Sequence, residues 1–157
     1  MARRKRVYHK PDYRDSRYDS PLVARFVAKL MSDGKKSTAE RIVYAAIDKM
    51  NENSSSVDPL EIFNRAVENA KPRLEVKSRR VGGATYQVPL ELSPERSESL
   101  AMRWLITYAR NRKGTPMWSA LANELRDAAA GQGSAIRKRD DVHKMAQANR
   151  AFAHFRW

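Results

Sequence analysis

The chain has 157 residues, enough for one domain with a substantial core, and carries 31 Lys and Arg against 18 Asp and Glu, a formal charge of +13. That excess goes beyond what solubility needs and points to a polyanionic partner, nucleic acid or an anionic membrane surface. Cysteine is absent, which excludes disulfides, thiolate metal sites and cysteine catalysis and fits a reducing compartment, and no apolar run approaches the roughly 20 residues of a membrane-spanning helix.

Residues 1–19 read as a basic arm, polar and aperiodic, with Arg3, Arg4, Lys5, Arg6 and Lys10 unopposed by acid and Tyr8, Tyr13 and Tyr18 scattered among charges. Such a segment is expected to stay mobile until an anion orders it. No apolar stretch follows the basic start, as a secretory signal would require, and Asp12, Asp15 and Asp19 break the acid-poor pattern of a transit peptide. Residues 20–157 read as the folded body. Ser20-Pro21 is a cap followed by proline at the first helical position, and Leu22, Val23, Phe26, Val27, Leu30 and Met31 form one helical stripe ending at Asp33-Gly34.

Ser37-Thr38-Ala39-Glu40 has the form of a capping box, and Ala39, Ile42, Val43, Ala46, Ile47 and Met50 continue at helical spacing. Asn51–Val57 is a polar loop. Asp58-Pro59 opens a third helix with Leu60, Phe63, Ala66, Val67 and Ala70 inward, stopped by Pro72. The period then changes from 3.6 to 2. Leu74, Val76 and Ser78 alternate with charged residues, and after Gly82-Gly83 so do Tyr86, Val88, Leu90 and Leu92 with Gln87, Pro89 and Glu91. Two alternating runs around Gly-Gly predict a β-hairpin at about 73–92. Pro89 suits the edge strand of a lone ribbon, whose base must pack on helices while its tip projects.

Ser93-Pro94 starts a fourth helix with Leu100, Ala101, Trp104, Leu105, Tyr108 and Ala109 inward. Thr115-Pro116 starts a fifth with Met117, Leu121, Leu125 and Ala128 inward, and Gly131 and Gly133 separate it from a sixth, Ser134 to Asn149, with Val142, Met145 and Ala146 as its apolar side. The fold class is mainly α: a single-domain bundle of six helices with one projecting hairpin between the third and fourth.

Charge is segregated. Residues 39–70 hold Glu40, Asp48, Glu52, Asp58, Glu61 and Glu68 against Arg41, Lys49 and Arg65, whereas Lys71, Arg73, Lys77, Arg79 and Arg80 face only Glu75. A twisted basic ribbon fits a nucleic-acid groove, and Gly82-Gly83 lets backbone approach phosphate; the bland reading is an exposed hairpin kept soluble by its charges. Arg96, Arg103 and Arg110 fall at i, i+7 and i+14 on one helix stripe extended by Arg112 and Lys113. The helix dipole accounts for cations only in the last turn, leaving Arg96 and Arg103 to a phosphate role.

Asp33-Gly34-Lys35-Lys36-Ser37 echoes the end of a nucleotide-binding P-loop, but the required first glycine would fall at Lys29, and a helix precedes it where a strand should. Lys35 and Lys36 still suit a phosphate backbone. His9, His143 and His154 lack ligand-spaced companions, and Asp140-Asp141 after Arg137-Lys138-Arg139 reads as a helix start rather than an acid/base pair. No cofactor, metal or enzyme follows from these residues. At the C-terminus, core docking of Phe152 and base stacking or protein contact by Phe155 and Trp157 stand as equal readings.

Residues 33–40, 76–83, 85–89 and 151–157 resemble the signatures of small-subunit ribosomal protein seven of bacterial type, and the likeness runs in order along the whole chain. The resemblance implies a primary binder of small-subunit rRNA at a multi-helix junction of the 3′ major domain. Such a protein nucleates head assembly, lies at the subunit interface near the mRNA exit path and exit-site tRNA, and neighbours proteins of the head and platform. It implies rRNA contacts at Arg3, Arg4, Lys5, Arg6, Lys10, Lys35, Lys36, Lys71, Lys77, Arg79, Arg80, Arg96, Arg103, Lys113 and the Met117 region. Where family members carry a basic residue in the fifth helix this chain has Ala120, so that contact does not carry over. A ribosome in the bacterial cytoplasm, a plastid or a mitochondrion would each suit such a protein, with no membrane partner. The rival is a DNA-binding regulator, against which stand the missing recognition-helix unit and dimerisation heptad.

Overall fold

The structure, a computed structural model, describes residues 13–51 and 58–155. Along the chain run α1 (Pro21–Leu30), α2 (Lys36–Asn51), α3 (Pro59–Ala70), β1 (Leu74–Val81), β2 (Ala84–Glu91), α4 (Pro94–Asn111), α5 (Met117–Ala129), α6 (Ser134–Ala148) and a 3-10 segment, η1 (Arg150–Phe155). The predicted bundle and single antiparallel hairpin are therefore present.

Local chemistry sets several boundaries. Ser20 Oγ accepts the Val23 N–H at 3.5 Å and Asp58 Oδ1 the Leu60 N–H at 2.9 Å, each before a proline that opens the helix. Two predicted starts move. α2 begins at Lys36 because the Lys35 carbonyl already accepts from Ala39, so Ser37 lies inside the first turn and Glu40 pairs with Lys36 instead (3.5 Å). At α5 Pro116 itself occupies the cap position, one residue beyond the expected Thr115.

The core is built around α5, which packs on α2, α3 and α4. Ala120, Leu121, Ala122, Leu125 and Ala128 are all buried, together with the carboxylate of Glu124. These residues give α5 a broad apolar face opposite Ser119, Asn123, Arg126 and Asp127, and its alanines let neighbours approach closely. Sequence periodicity marked only one stripe, with Met117 inward, whereas Met117 is half-buried at the edge of the core. Likewise α4 turns Met102 and Ile106 inward beside Ala101, Leu105 and Ala109, while Leu100, Trp104 and Tyr108 are half-buried. On α6, Met145 is 46% exposed and the buried side is Ala135, Ile136, Val142 and Ala146. Phe26 of α1 meets Phe63 of α3 edge-on, with centroids 5.3 Å apart.

Residues 13–19, read above as the end of a mobile arm, are fastened to α2. Asp15, 6% exposed, accepts the N–H groups of Arg17 and Tyr18 (3.1 and 3.0 Å) and the Tyr44 hydroxyl (2.6 Å). Arg17 donates to both oxygens of Asp48 at 3.0 and 2.8 Å, and Tyr18 packs edge-on against Tyr44. The arm bases Arg3, Arg4, Lys5, Arg6 and Lys10 lie outside the described residues, as do most of the expected loop at 51–57 and Trp157.

Candidate nucleic-acid interface

The hairpin closes as Val81↔Ala84 across Gly82 (φ 57°) and Gly83 (φ 89°). Positive φ at both central residues is the two-residue turn whose twist matches paired strands, and glycine adopts it without strain. The register sets Lys77 opposite Val88, Arg79 opposite Tyr86 and Arg80 opposite Thr85. Side chains alternate along a strand and directly paired residues share a face. Lys77 and Arg79 therefore stand on the face of Val88 and Tyr86, and Arg80 stands on the other. The Arg79-Arg80 run splits between two faces, so the ribbon is cationic on both. Lys77 and Arg80 are exposed and Arg79 is half-buried.

Three ties fix the ribbon's root. Arg96, in the first turns of α4, donates from Nε and Nη2 to both oxygens of Glu75 at 2.8 to 3.0 Å. That fork pairing raises the guanidinium's pKa further above its usual range. Ser97 Oγ donates to the Pro72 carbonyl at 2.6 Å. The Arg73 N–H donates to Nε2 of His143 on α6 at 3.0 Å, and burial, followed by the charge of Arg139, lowers the imidazole pKa. Further out, Phe152 and Phe155 of η1 lie against Tyr86, with centroids 5.1 and 5.2 Å away. The C-terminal aromatics thus brace the ribbon, a third arrangement beside the two expected.

Other anticipated residues fall into separate neighbourhoods. Lys35 and Met117 come together with Arg110 around a hollow of about 150 Å³. Lys71 pairs with Glu68 at 2.6 Å and, with Arg73, Arg139 and His143, lines a cleft of about 810 Å³ at the ribbon root. Lys36, Arg103 and Lys113 are exposed on α2, α4 and the following turn. Ala120 is 1% exposed and packs into the core.

Besides Arg96, two further cations of the α4 stripe have internal partners. Arg110 donates to the Leu30 carbonyl at 2.9 Å, closing the C-terminus of α1, and Arg112 donates to Glu124 and Asp127 at 2.6 Å each. Hydrogen bonding to Asp127 leads the effects that raise the Arg112 pKa. Sequence reasoning passed over the exposed cations Arg137, Lys144 and Arg150 along α6 and η1. Arg137 belongs to the tract Arg137-Lys138-Arg139, read above as a helix start with Asp140-Asp141, but α6 begins at Ser134 and both aspartates lie inside it.

Among the described residues no three His, Cys, Asp or Glu side chains converge to hold a metal, and no helix is long and apolar enough to cross a membrane. A helical body that braces a basic ribbon, with no metal cluster among the described residues, gives the architecture of a binding protein for anions. Residues 2–150 match the family of ribosomal protein S7p/S5e. Small ribosomal subunit protein uS7 of Akkermansia muciniphila is 73% identical over 157 residues, 100% of both chains. The proteins of that name from Solibacter usitatus and Desulfosudis oleivorans are 57% and 55% identical, again over 157 residues and 100% of both chains. The chain belongs to the S7p/S5e family of ribosomal proteins, structural RNA-binding components rather than enzymes.

Proposed function

We propose that this chain, a structural constituent of the small ribosomal subunit, is a primary binder of small-subunit rRNA. It would engage a multi-helix junction of the 3′ major domain, nucleate assembly of the head, and hold its ribbon near the mRNA exit path and exit-site tRNA, beside head and platform proteins. The observation that carries this reading is the ribbon: Lys77 and Arg79 on one face, Arg80 on the other, on a root fixed by Glu75–Arg96 and Arg73–His143. A two-faced cationic ribbon can meet phosphates of two RNA helices at once, which favours the junction geometry that brings them together.

The arm bases Arg3, Arg4, Lys5, Arg6 and Lys10 would add phosphate contacts, as would Lys35, Lys36, Lys71, Arg103, Lys113 and the surface beside Met117, while Arg96 would join them only on leaving Glu75. Charge then dominates affinity. With about six phosphates engaged, log K should fall against log salt with a slope of about −4 to −5.

The test is binding to the 3′ major domain junction over a salt series, with length-matched duplex DNA as competitor. Binding that survives excess DNA and weakens on Arg79→Ala with Arg80→Ala supports the reading. A slope near zero, or equal competition by DNA, overturns it.

A further inference from the structure

Residues 13–16, α1 and α2 enclose a cavity of about 300 Å³ outside the ribbon and its root. Its floor is aliphatic, from Ala24, Val27 and Ala28 of α1. Its rim is cationic: Arg14 from the segment before α1, Arg25 from α1 and Lys36 from α2 all line it. Tyr13, 74% exposed, contributes an aromatic ring whose burial in the free protein is slight.

The wall is already built. Asp15 also lines the cavity, but its carboxylate accepts three hydrogen bonds, from the Tyr44 hydroxyl and the N–H groups of Arg17 and Tyr18, and Arg17 is pinned to Asp48. These bonds hold the segment against α2, so the ordering of this wall precedes any ligand. Each rim cation has an acidic partner: Arg14 pairs with Asp19 at 3.2 Å, Arg25 with the mostly buried Glu98 at 3.0 Å and Lys36 with the partly buried Glu40 at 3.5 Å. All three cations keep more than half of their side-chain surface open to water, where such pairs are weak and leave the cation able to meet a further anion.

We propose that this cavity receives one unpaired RNA nucleobase, whose neighbouring phosphates rest on Arg14, Arg25 and Lys36. An aliphatic floor and an exposed tyrosine suit the flat apolar faces of a base, and a ring of cations suits the polyanion from which that base is turned out. The volume matches the low end of pockets that take small planar ligands, roughly 300 to 1,000 Å³. Ser16 and Glu40, which also line the site, offer hydrogen-bonding groups to a base edge. Cations spread over three elements fit a strand passing across the mouth better than a single terminal phosphate. The inference rests on the RNA-binding reading and adds to it a site that reads a base rather than phosphate alone.

The test uses the full chain, a short single-stranded RNA, and an abasic strand of equal length and phosphate number. Methyl NMR follows Val27 at the cavity floor and fluorescence anisotropy gives affinities. Base-bearing RNA should shift the Val27 methyls while the abasic strand leaves them in place. Ala28→Leu, which fills the cavity from an exposed position, should weaken base-bearing RNA by roughly 5-fold or more and leave the abasic strand unchanged. Tyr13→Ala, too exposed to threaten the fold, should act in the same direction. Equal wild-type affinity for both strands, an unmoved Val27, or no effect of Ala28→Leu and Tyr13→Ala would overturn the proposal. Saturation by a nucleoside monophosphate at the same concentrations would overturn it in favour of a free-nucleotide site. If the junction RNA still binds with a steep salt dependence in those cases, the cavity inference alone has failed; if it does not bind, the RNA-binding reading has failed with it.

Discussion

Arg112 and Glu124 are joined at 2.6 Å although the glutamate side chain is 0% exposed. The same guanidinium reaches Asp127 at 2.6 Å, and the other Glu124 oxygen accepts the Ala135 N–H at 3.0 Å. One buried carboxylate thus ties the end of α4 to α5 and caps the start of α6, whose own cap residue, Gly133, has no side chain to offer. Gly133 sits at φ 97°, and a Cβ there would come within 3.0 Å of Asp127 Cβ and 3.4 Å of Glu124 Oε1.

Removing the arginine of this set leaves the buried Glu124 charge without its cation. Arg112→Ala should therefore lower stability by about 3–5 kcal/mol, the range found when buried pairs are broken. Glu124→Ala should act in the same direction and also expose the first amides of α6 to hydrogen exchange. Urea denaturation of both variants checks this. A loss below about 1 kcal/mol in both would mean that the triad only neutralises itself.

Much of this fold is readable because its signals are local. Ser20-Pro21, Asp58-Pro59 and Gly82-Gly83 each impose a backbone conformation on their own neighbourhood, and those boundaries fall where the residues indicate. What escaped depends on turn geometry or on distant partners. Ser37 looks like a cap, but the turn through Asp33 (φ 53°) and Gly34 (φ 73°) delivers the Lys35 carbonyl to Ala39 first. The burial of Ala120 and Glu124 comes from helices packing around α5. Composition reveals a cation but not its partner: Arg103 and Arg110 share a stripe, yet Arg110 is taken by the Leu30 carbonyl and Arg103 faces solvent. The clasp of Phe152 on Tyr86 joins residues too far apart for any periodicity to report.

The Glu75–Arg96 fork withholds one candidate phosphate contact. Glu75→Gln weakens that hold, frees the guanidinium and removes a carboxylate from the ribbon. RNA affinity at low salt should rise, and the salt slope should steepen by about 0.7 to 0.9, as expected for one further phosphate. Parallel salt titrations of wild type and variant decide the matter; identical slopes would show that Arg96 serves the ribbon root alone.

His143 makes the same root sensitive to pH. Its Nε2 can accept the Arg73 N–H only when unprotonated, and burial together with Arg139 and Arg73 lowers its pKa, against a smaller opposing effect of Asp140. With the folded pKa below the ordinary value of about 6.5, the unfolded chain binds the proton more readily. The tie is then fully stabilising above that value, weakens below it, and is lost as pH falls through the lower folded pKa. Hydrogen exchange at the Arg73 amide should quicken as pH drops from 7 to 5, beyond the intrinsic trend measured at an exposed amide. His143→Gln, which keeps an acceptor but cannot titrate, should remove that excess. An unchanged profile in the variant would assign the effect elsewhere.

The aromatic clasp should govern the ribbon without governing the fold. Phe152 and Phe155 reach Tyr86 from η1 at 5.1 and 5.2 Å, while the buried core lies on the helices. An aromatic pair contributes about 0.5–1.5 kcal/mol beyond the area it covers, enough to shift a local opening equilibrium several-fold but small against unfolding of the bundle. Phe152→Ala should therefore speed tryptic cleavage within Lys77–Arg80 several-fold and move the melting temperature little. Tyr86→Ala should do the same. Because Tyr86→Ala already removes the contact that Phe152→Ala removes, together with that of Phe155, the double variant should be cleaved little faster than Tyr86→Ala alone. Fully additive rates would mean that Tyr86 steadies the ribbon through its own strand pairing, independently of the C-terminal segment.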